Sequence, residues 1–449
     1  MDSRRKTVRI VSRWLLGIAV ATSLAGIPGS LFAQANVQRG TPHREGRTWV
    51  EVVTCGAPVH DGGRLILKAD FGSVTVQPGA GKEMNCQVRL RAYLANAQEA
   101  QRALQGYEVS LQTLEGGTVL LTGRSSHSRE HGGLSVDYRV SVPRQFNLNL
   151  ATQGGDLVVG DLDGELRGQT AGGNIQTGDV TGPVYANTSG GDIDLGNIGR
   201  QVEAHTAGGA IRLSNVKGNA VLETSGGEIV AGMVEGAVQA ATKGGDILLR
   251  GATGPVRAET AGGQIQIGQC DSSIRAQSAG GSIRLYGARG FVQAGTAGGS
   301  IDLFGMQSAV RAATTAGRIF AEIDASPKSF APWELEANVG DVQVFLPPDL
   351  PLNLDAAIEQ AFGHRIVSDF PIQIQGDEET FRQRTQRAEA ALNGGGNVLR
   401  IRTMMGNIEI HKLNRRTIEE FKAQREAFRR TWQELQRARN AEGQNKDKE

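Results

Sequence analysis

Aromatic side chains are scarce in this chain, at 5% of 449 residues, and proline is scarcer still at 13 positions, while glycine occupies 61. That balance argues against an enzyme-like globular core and for turn-dense repetition. A dominant charge is missing too: the formal net charge is +1 with 21% charged residues. No overall attraction to nucleic acid, anionic lipid or an acidic polymer follows, so nucleic acid is not expected as a partner and any charged partner has to be read locally. Catalytic signatures are also absent. There is no Gly-X-Ser-X-Gly elbow, and no serine or cysteine nucleophile can be paired with a base. The histidines are scattered. His127 and His131 have i, i+4 spacing, but "SSHSREHGG" reads as a loop, so neither a metal nor any other cofactor is expected.

What is present is a period. A Thr or Ser opening a Thr-X-Gly-Gly-like turn falls at Thr152, Thr170, Thr188, Thr206, Thr224, Thr242, Thr260, Ser278, Thr296 and Thr314, each 18 residues after the last. Within a unit, two short alternating segments are separated by glycine, which is strand grammar. Ile193, Leu195, Val202 and Ala204 point to a core, and the residues between them point to water. One rung buries about five small apolar side chains, on the order of 7 to 15 kcal/mol gross. Ordering its backbone costs roughly 1 to 2 kcal/mol per residue. No rung folds alone, so the fold class expected is all-β, a parallel β-solenoid with 18-residue rungs, flanking irregular β segments and a C-terminal amphipathic helix. The glycine pair reads as a corner that needs positive φ and room for neighbouring rungs, with the threonine hydroxyl at the inner corner bonding turn backbone. A phosphate cradle is excluded because no helix follows. Repeat-bound calcium is excluded because the residue after the glycines runs Asp156, Asn174, Asp192, Ala210, Glu228, and a ligand cannot be optional. Cys270 occupies a position held elsewhere by Val, Ile or Ala and reads as a buried small hydrophobe.

The rest of the chain is divided accordingly. Residues 1–35 have a basic start, an apolar stretch and Ala33-Gln34-Ala35, and read as a signal peptide, with an uncleaved anchor as the alternative. Residues 48–150 form an irregular β region continuous with the solenoid, with a short helix over Asn96–Gly106. The regular stack spans 151–325. A C-terminal β extension covers 326–413 with an inserted helical loop at 376–396. Residues 415–449 form an amphipathic helix, with a Thr417/Glu420 capping box, and a disordered tail. That helix is expected to shield the solenoid end. Partner binding or self-association through Ile418, Phe421, Phe428, Trp432 and Leu435 is the other reading. Export lets disulfides persist, and Cys55 and Cys86 are expected either as a bonded pair or as two free thiols.

The segments "DFGSVTV", "DYRVSVP", "TAGGNI", "TSGGDI", "TAGGSI", "SDFPI" and "MGNIEI" resemble the bacterial putative adhesin domain family over roughly Val50 to Leu413. The resemblance implies an exported β-solenoid and an adhesive role, and brings no binding residues with it. The function expected is an exported, non-enzymatic, adhesin-like interaction protein of the periplasm or cell surface, bound to a protein or polysaccharide of the envelope. A self-associating, bactofilin-like scaffold and a carbohydrate-active β-helix enzyme are the alternatives. Tyr185, Arg257, Arg275 and Arg311 form the outward stripe expected to make contact.

Overall fold

The structure, a computed structural model, describes residues 36–126, 133–324, 331–375 and 385–446, with side chains to 437. The expected signal peptide and the His127/His131 pair lie outside the described residues. Each 18-residue unit contributes one strand to each of two stacked parallel sheets. Sheet A takes the residues after the glycines, as in Ile175–Thr177, Ile193–Leu195 and Ile211–Leu213, and sheet B takes Val184–Asn187, Val202–His205 and Ala220–Glu223. The register never slips here: Ile175, Ile193, Ile211 and Ile229 stack in sheet A, and Val184, Val202 and Ala220 in sheet B. Between the sheets lies the core of Ile, Leu, Val and Ala, including the buried Cys270. Alternation decides this, because a pleated strand sends successive side chains to opposite faces.

The corner is built differently from the expectation in one respect. Positive φ is found at Gly155 (122°) and Gly317 (153°) but at neither Gly173 nor Gly191. Close approach is what demands glycine there: a Cβ on Gly191 would lie 2.1 Å from the Gly173 carbonyl oxygen, whereas one on Gly190 would lie 3.5 Å from that of Gly172. The threonine supplies the other half of the corner. Thr188 Oγ1 donates to the Gly173 carbonyl one rung back at 2.8 Å and accepts from the Gly191 N–H at 3.3 Å. Thr206, Thr224, Thr242, Thr260, Ser278 and Thr296 repeat both bonds. A buried hydroxyl with both roles filled costs nothing in unmet polarity. The residue after the glycines has a comparable task, since Asp156, Asn174 and Asp192 each accept the N–H of the equivalent residue one rung on at 2.8 Å.

Both ends depart from simple stacking. At the N-terminal end the rung Arg64–Ala69 with Ser73–Gly79 pairs with the regular stack, and Thr118–Ser125 with Leu134–Pro143 lies outside it. Antiparallel strands Glu83–Ala92 and Thr48–Pro58 then close the sheet. Cys55 and Cys86 face each other across that antiparallel pair and are bonded. Helix α1, Ala97–Gln105, is capped by the Asn96 side chain accepting from Gln98 N–H at 2.8 Å, and stops at Gly106. Buried Glu51 is held by Arg39 through two bonds of 2.9 and 2.8 Å. At the other end the chain skips a rung and returns: Val398–Met405 and Ile408–Lys412 slot between the strands of 333–346 and those of 352–368.

Three expectations are corrected here. Residues 386–392, assigned to an inserted helical loop at 376–396, form a strand antiparallel to Leu352–Ile358. The open edge of sheet B gives that backbone partners, and Ala388 a place in the core, which outweighs the helix propensity of its Ala, Glu and Arg. Residues 376–384 lie outside the described residues. The second correction concerns helix α2, Arg415–Lys446, which runs on into the tail expected to be disordered. Its cap is the reciprocal pair Asn414 and Thr417, each side chain accepting the other's N–H at 3.0 Å, rather than Thr417 and Glu420. Thirdly, α2 lies along the side of the solenoid, on the outer face of sheet A, and not on its end. Phe421, Phe428 and Trp432 are buried there against Tyr286, Phe304 and Phe320. The reason is the aromatic row itself, which offers more apolar surface than a blunted strand edge does.

Candidate functional site on the outer face of sheet B

Among the described residues, sheet B has no such cover. Its outward positions line up along the axis, because an unbroken 18-residue register puts residue i directly beside i+18. Tyr185, Glu203, Val221, Gln239, Arg257, Arg275, Gln293 and Arg311 therefore form one row, and all four residues of the expected contact stripe lie in it. They are not equivalent within it. The Arg167 guanidinium sits 4.0 Å over the Tyr185 ring, and Gln201 donates to the Tyr185 hydroxyl. Arg311 pairs with Glu334 at 2.8 Å. Arg257 is paired on its own strand with Glu259 at 2.6 Å. Arg275 has no acidic partner among the described residues and lies beside Arg257 in register.

The row divides two grooves. One, of about 1220 Å³, runs between the row and the Thr-X-Gly-Gly corners. It crosses seven rungs from Asn187 to Gly295, a length of roughly 29 Å at about 4.8 Å per rung. Its walls carry Glu223, Glu259 and Lys243, with small residues such as Ala241 and Ala261 on the floor. His205 is held in it between Glu203 at 3.0 Å and Glu223 at 3.3 Å. The second groove, of about 500 Å³, lies on the other side of the row and spans five rungs from Asn219 to Phe291. No carboxylate lines it. Arg257, Arg275, Gln239 and Gln293 overhang it, and Phe291, 47% exposed, forms one end.

Some of this was legible only by comparing units. Phe291 occupies a position held elsewhere by Glu165, Pro183, Gln201, Asn219, Ala237, Pro255, Ser273 and Ala309, so a lone aromatic ring at that position was the available signal. The residues proposed for self-association are split by the structure. Phe421, Phe428 and Trp432 are buried within the chain's own fold, Ile418 is half-buried, and Leu435 is exposed. Among the described residues no cluster of His, Cys, Asp and Glu is suited to hold a metal ion, and no helix is long and apolar enough to cross a membrane.

No family model and no curated protein matches the chain. Among solved structures, a "putative cell adhesion protein" from Clostridium sporogenes is similar over 83% of this chain and 100% of its own, at 9% identity and a TM-score of 0.16. A "putative adhesin" from Bacteroides fragilis matches over 60% of this chain and 95% of its own, at 12% identity and a TM-score of 0.27. Another from Parabacteroides merdae matches over 59% and 95%, at 8% identity and a TM-score of 0.28. TM-scores this low carry no argument about activity or partners, and the solenoid assignment rests on the strand ladder itself. These neighbours are bacterial proteins described as a "putative cell adhesion protein" or a "putative adhesin".

Proposed function

We propose that this protein is an exported, non-enzymatic, adhesin-like interaction protein whose contact surface is the outer face of sheet B. One observation carries the reading: sheet A is occupied by the chain's own helix from the strand of Val230 to that of Phe345, while among the described residues sheet B keeps long grooves open along many rungs. A surface of identical backbone repeats with varied side chains suits an extended ligand lying along the axis, since each rung adds one more contact. Self-association through the ends is less well supported. Three of the four sheet edges end in strands of three or four residues, Asn36–Arg39 with His43–Glu45 at one end and Ile366–Ser368 and Gln373–Gln375 at the other, short edges that limit strand-to-strand growth; the fourth, Tyr107–Leu114 on sheet B, has eight residues and, among the described residues, one strand partner.

The test is a binding survey with the mature protein on immobilised envelope polysaccharides, envelope proteins and extracellular-matrix proteins. It compares the native sequence with a variant carrying Tyr185→Ala, Arg257→Gln, Arg275→Gln and Arg311→Gln. Loss of at least ten-fold in affinity is expected for the bound ligand. Retention of every interaction by the fourfold variant would sink the assignment of sheet B as the contact face.

A further inference from the structure

We infer that the smaller groove on sheet B, between Asn219 and Phe291, is a binding site for an acidic polysaccharide; the inference rests on sheet B being the contact face. Charge comes first. Arg257 and Arg275 are direct neighbours in the sheet, and like charges so placed repel. Glu259 relieves Arg257, but among the described residues nothing comparable relieves Arg275 and no carboxylate lines this groove. An anion between the two guanidinium groups would remove that repulsion and gain charge-assisted hydrogen bonds. The neighbouring groove sets Glu223 and Glu259 against Lys243 and Arg257, so its charges balance, whereas the charged side chains lining this groove are cations alone.

The rest of the lining says what kind of anion. Phe291 presents an exposed ring at the end of the groove, and no other unit carries an aromatic residue at its position. An aromatic face packs against the C–H face of a sugar ring, while Asn219, Gln239 and Gln293 place amides that both donate and accept, as hydroxyls require. An acidic peptide suits the site less. Extended peptides gain affinity mainly by pairing with a free strand edge, and every strand under this groove is already paired on both sides. Recognition here has to come from side chains alone, which favours a polymer with polar groups on every unit.

Titration calorimetry on the mature protein tests this, with an oligomer of galacturonate as probe, its methyl-esterified uncharged form as the matched control, and polyglutamate as the acidic peptide. The acidic oligosaccharide is expected to bind at least ten-fold more tightly than its ester, with an affinity that falls as salt is raised. Arg275→Gln and Phe291→Ala should each weaken it by ten-fold or more, Arg275→Lys by less, and Lys217→Gln, outside both grooves, not at all. Equal binding of acid and ester, or no binding of either, overturns the inference. Preference for polyglutamate with the same dependence on Arg275 also overturns it, yet leaves sheet B standing as the contact face. Binding untouched by the fourfold variant overturns both.

Discussion

Sheet A and sheet B are made by the same 18-residue lattice, with the same stacking register and the same small aliphatic core between them, yet their outer faces have opposite fates. On sheet A the outer face turns aromatic at Tyr286, Phe304, Phe320 and Phe345, drawn from two adjacent register rows, with successive ring centroids 5.7, 5.2 and 5.4 Å apart. The chain covers it with Phe421, Phe428 and Trp432. On sheet B the outward row is mostly polar, keeps neighbouring cations and, among the described residues, has no helix over it. Backbone and core are common to both, so what distinguishes the faces is written only in the outward positions. In a solenoid those positions can change without disturbing the fold.

The covered face is where a single substitution should do most harm. Arg425 donates to Glu322 at 2.6 Å, and Glu322, whose side chain is 4% exposed, also accepts the Gly305 N–H at 2.9 Å. Burial pushes the Glu322 carboxyl above the usual range, with Arg425 pulling it back down. Replacing Arg425 by Met leaves a buried carboxylate without its cation, a change of about 3 to 5 kcal/mol. The proton sets the sign. Since the folded pKa is raised above the unfolded one, the folded state is favoured while Glu322 is protonated, and that stability is lost as pH rises through the folded value. Without Arg425 the upward push is larger. Thermal unfolding of Arg425→Met should therefore show a small defect in acid and the full defect at neutral pH, and adding Glu322→Gln should recover most of it. A defect independent of pH would mean that the pair is not what holds α2 to sheet A.

The corner, shared by both faces, should be the next most sensitive. Alanine at Gly191 puts a Cβ 2.1 Å from the Gly173 oxygen, and the rungs cannot part without breaking the Thr188 bonds, so a cost of about 3 kcal/mol is expected. Alanine at Gly190, with its nearest atom at 3.5 Å, should stay within about 0.5 kcal/mol. Denaturant melts of the two variants decide it, and equal costs would show that the pair serves conformational freedom and not close approach.

Periodicity explains how much of this was readable in advance. The step of 18, the alternation and the inward threonine fix the stack and each residue's face, because a solenoid core is a local property repeated. The stripe of Tyr185, Arg257, Arg275 and Arg311 was legible for the same reason. Where contacts are long-range, the sequence is silent. Residues 386–392 look helical in composition and are drawn into a strand by the edge beside them. The seat of α2 depends on aromatic residues more than 80 positions away, and on Gly268, where a Cβ would lie 2.8 Å from the Phe428 ring. Read in isolation, an amphipathic helix declares that it has an apolar side and not which surface will take it.

The bare face should give the smallest effect and the most informative sign. Arg275 makes no ion pair among the described residues and stands beside Arg257, so removing it deletes a repulsion and no attraction. Arg275→Gln should leave stability within about 0.5 kcal/mol of the native protein, on the favourable side. Any gain should shrink as salt rises from about 0.01 to 1 M and the Debye length falls from roughly 30 to 3 Å. Thermal melts across that range give the answer. A measurable loss of stability would mean that Arg275 supports the fold. A gain that fades with salt marks a cation kept at some cost to the free protein, as expected of a residue retained for a ligand and opposite to what Arg425 does on the other side of the same rod.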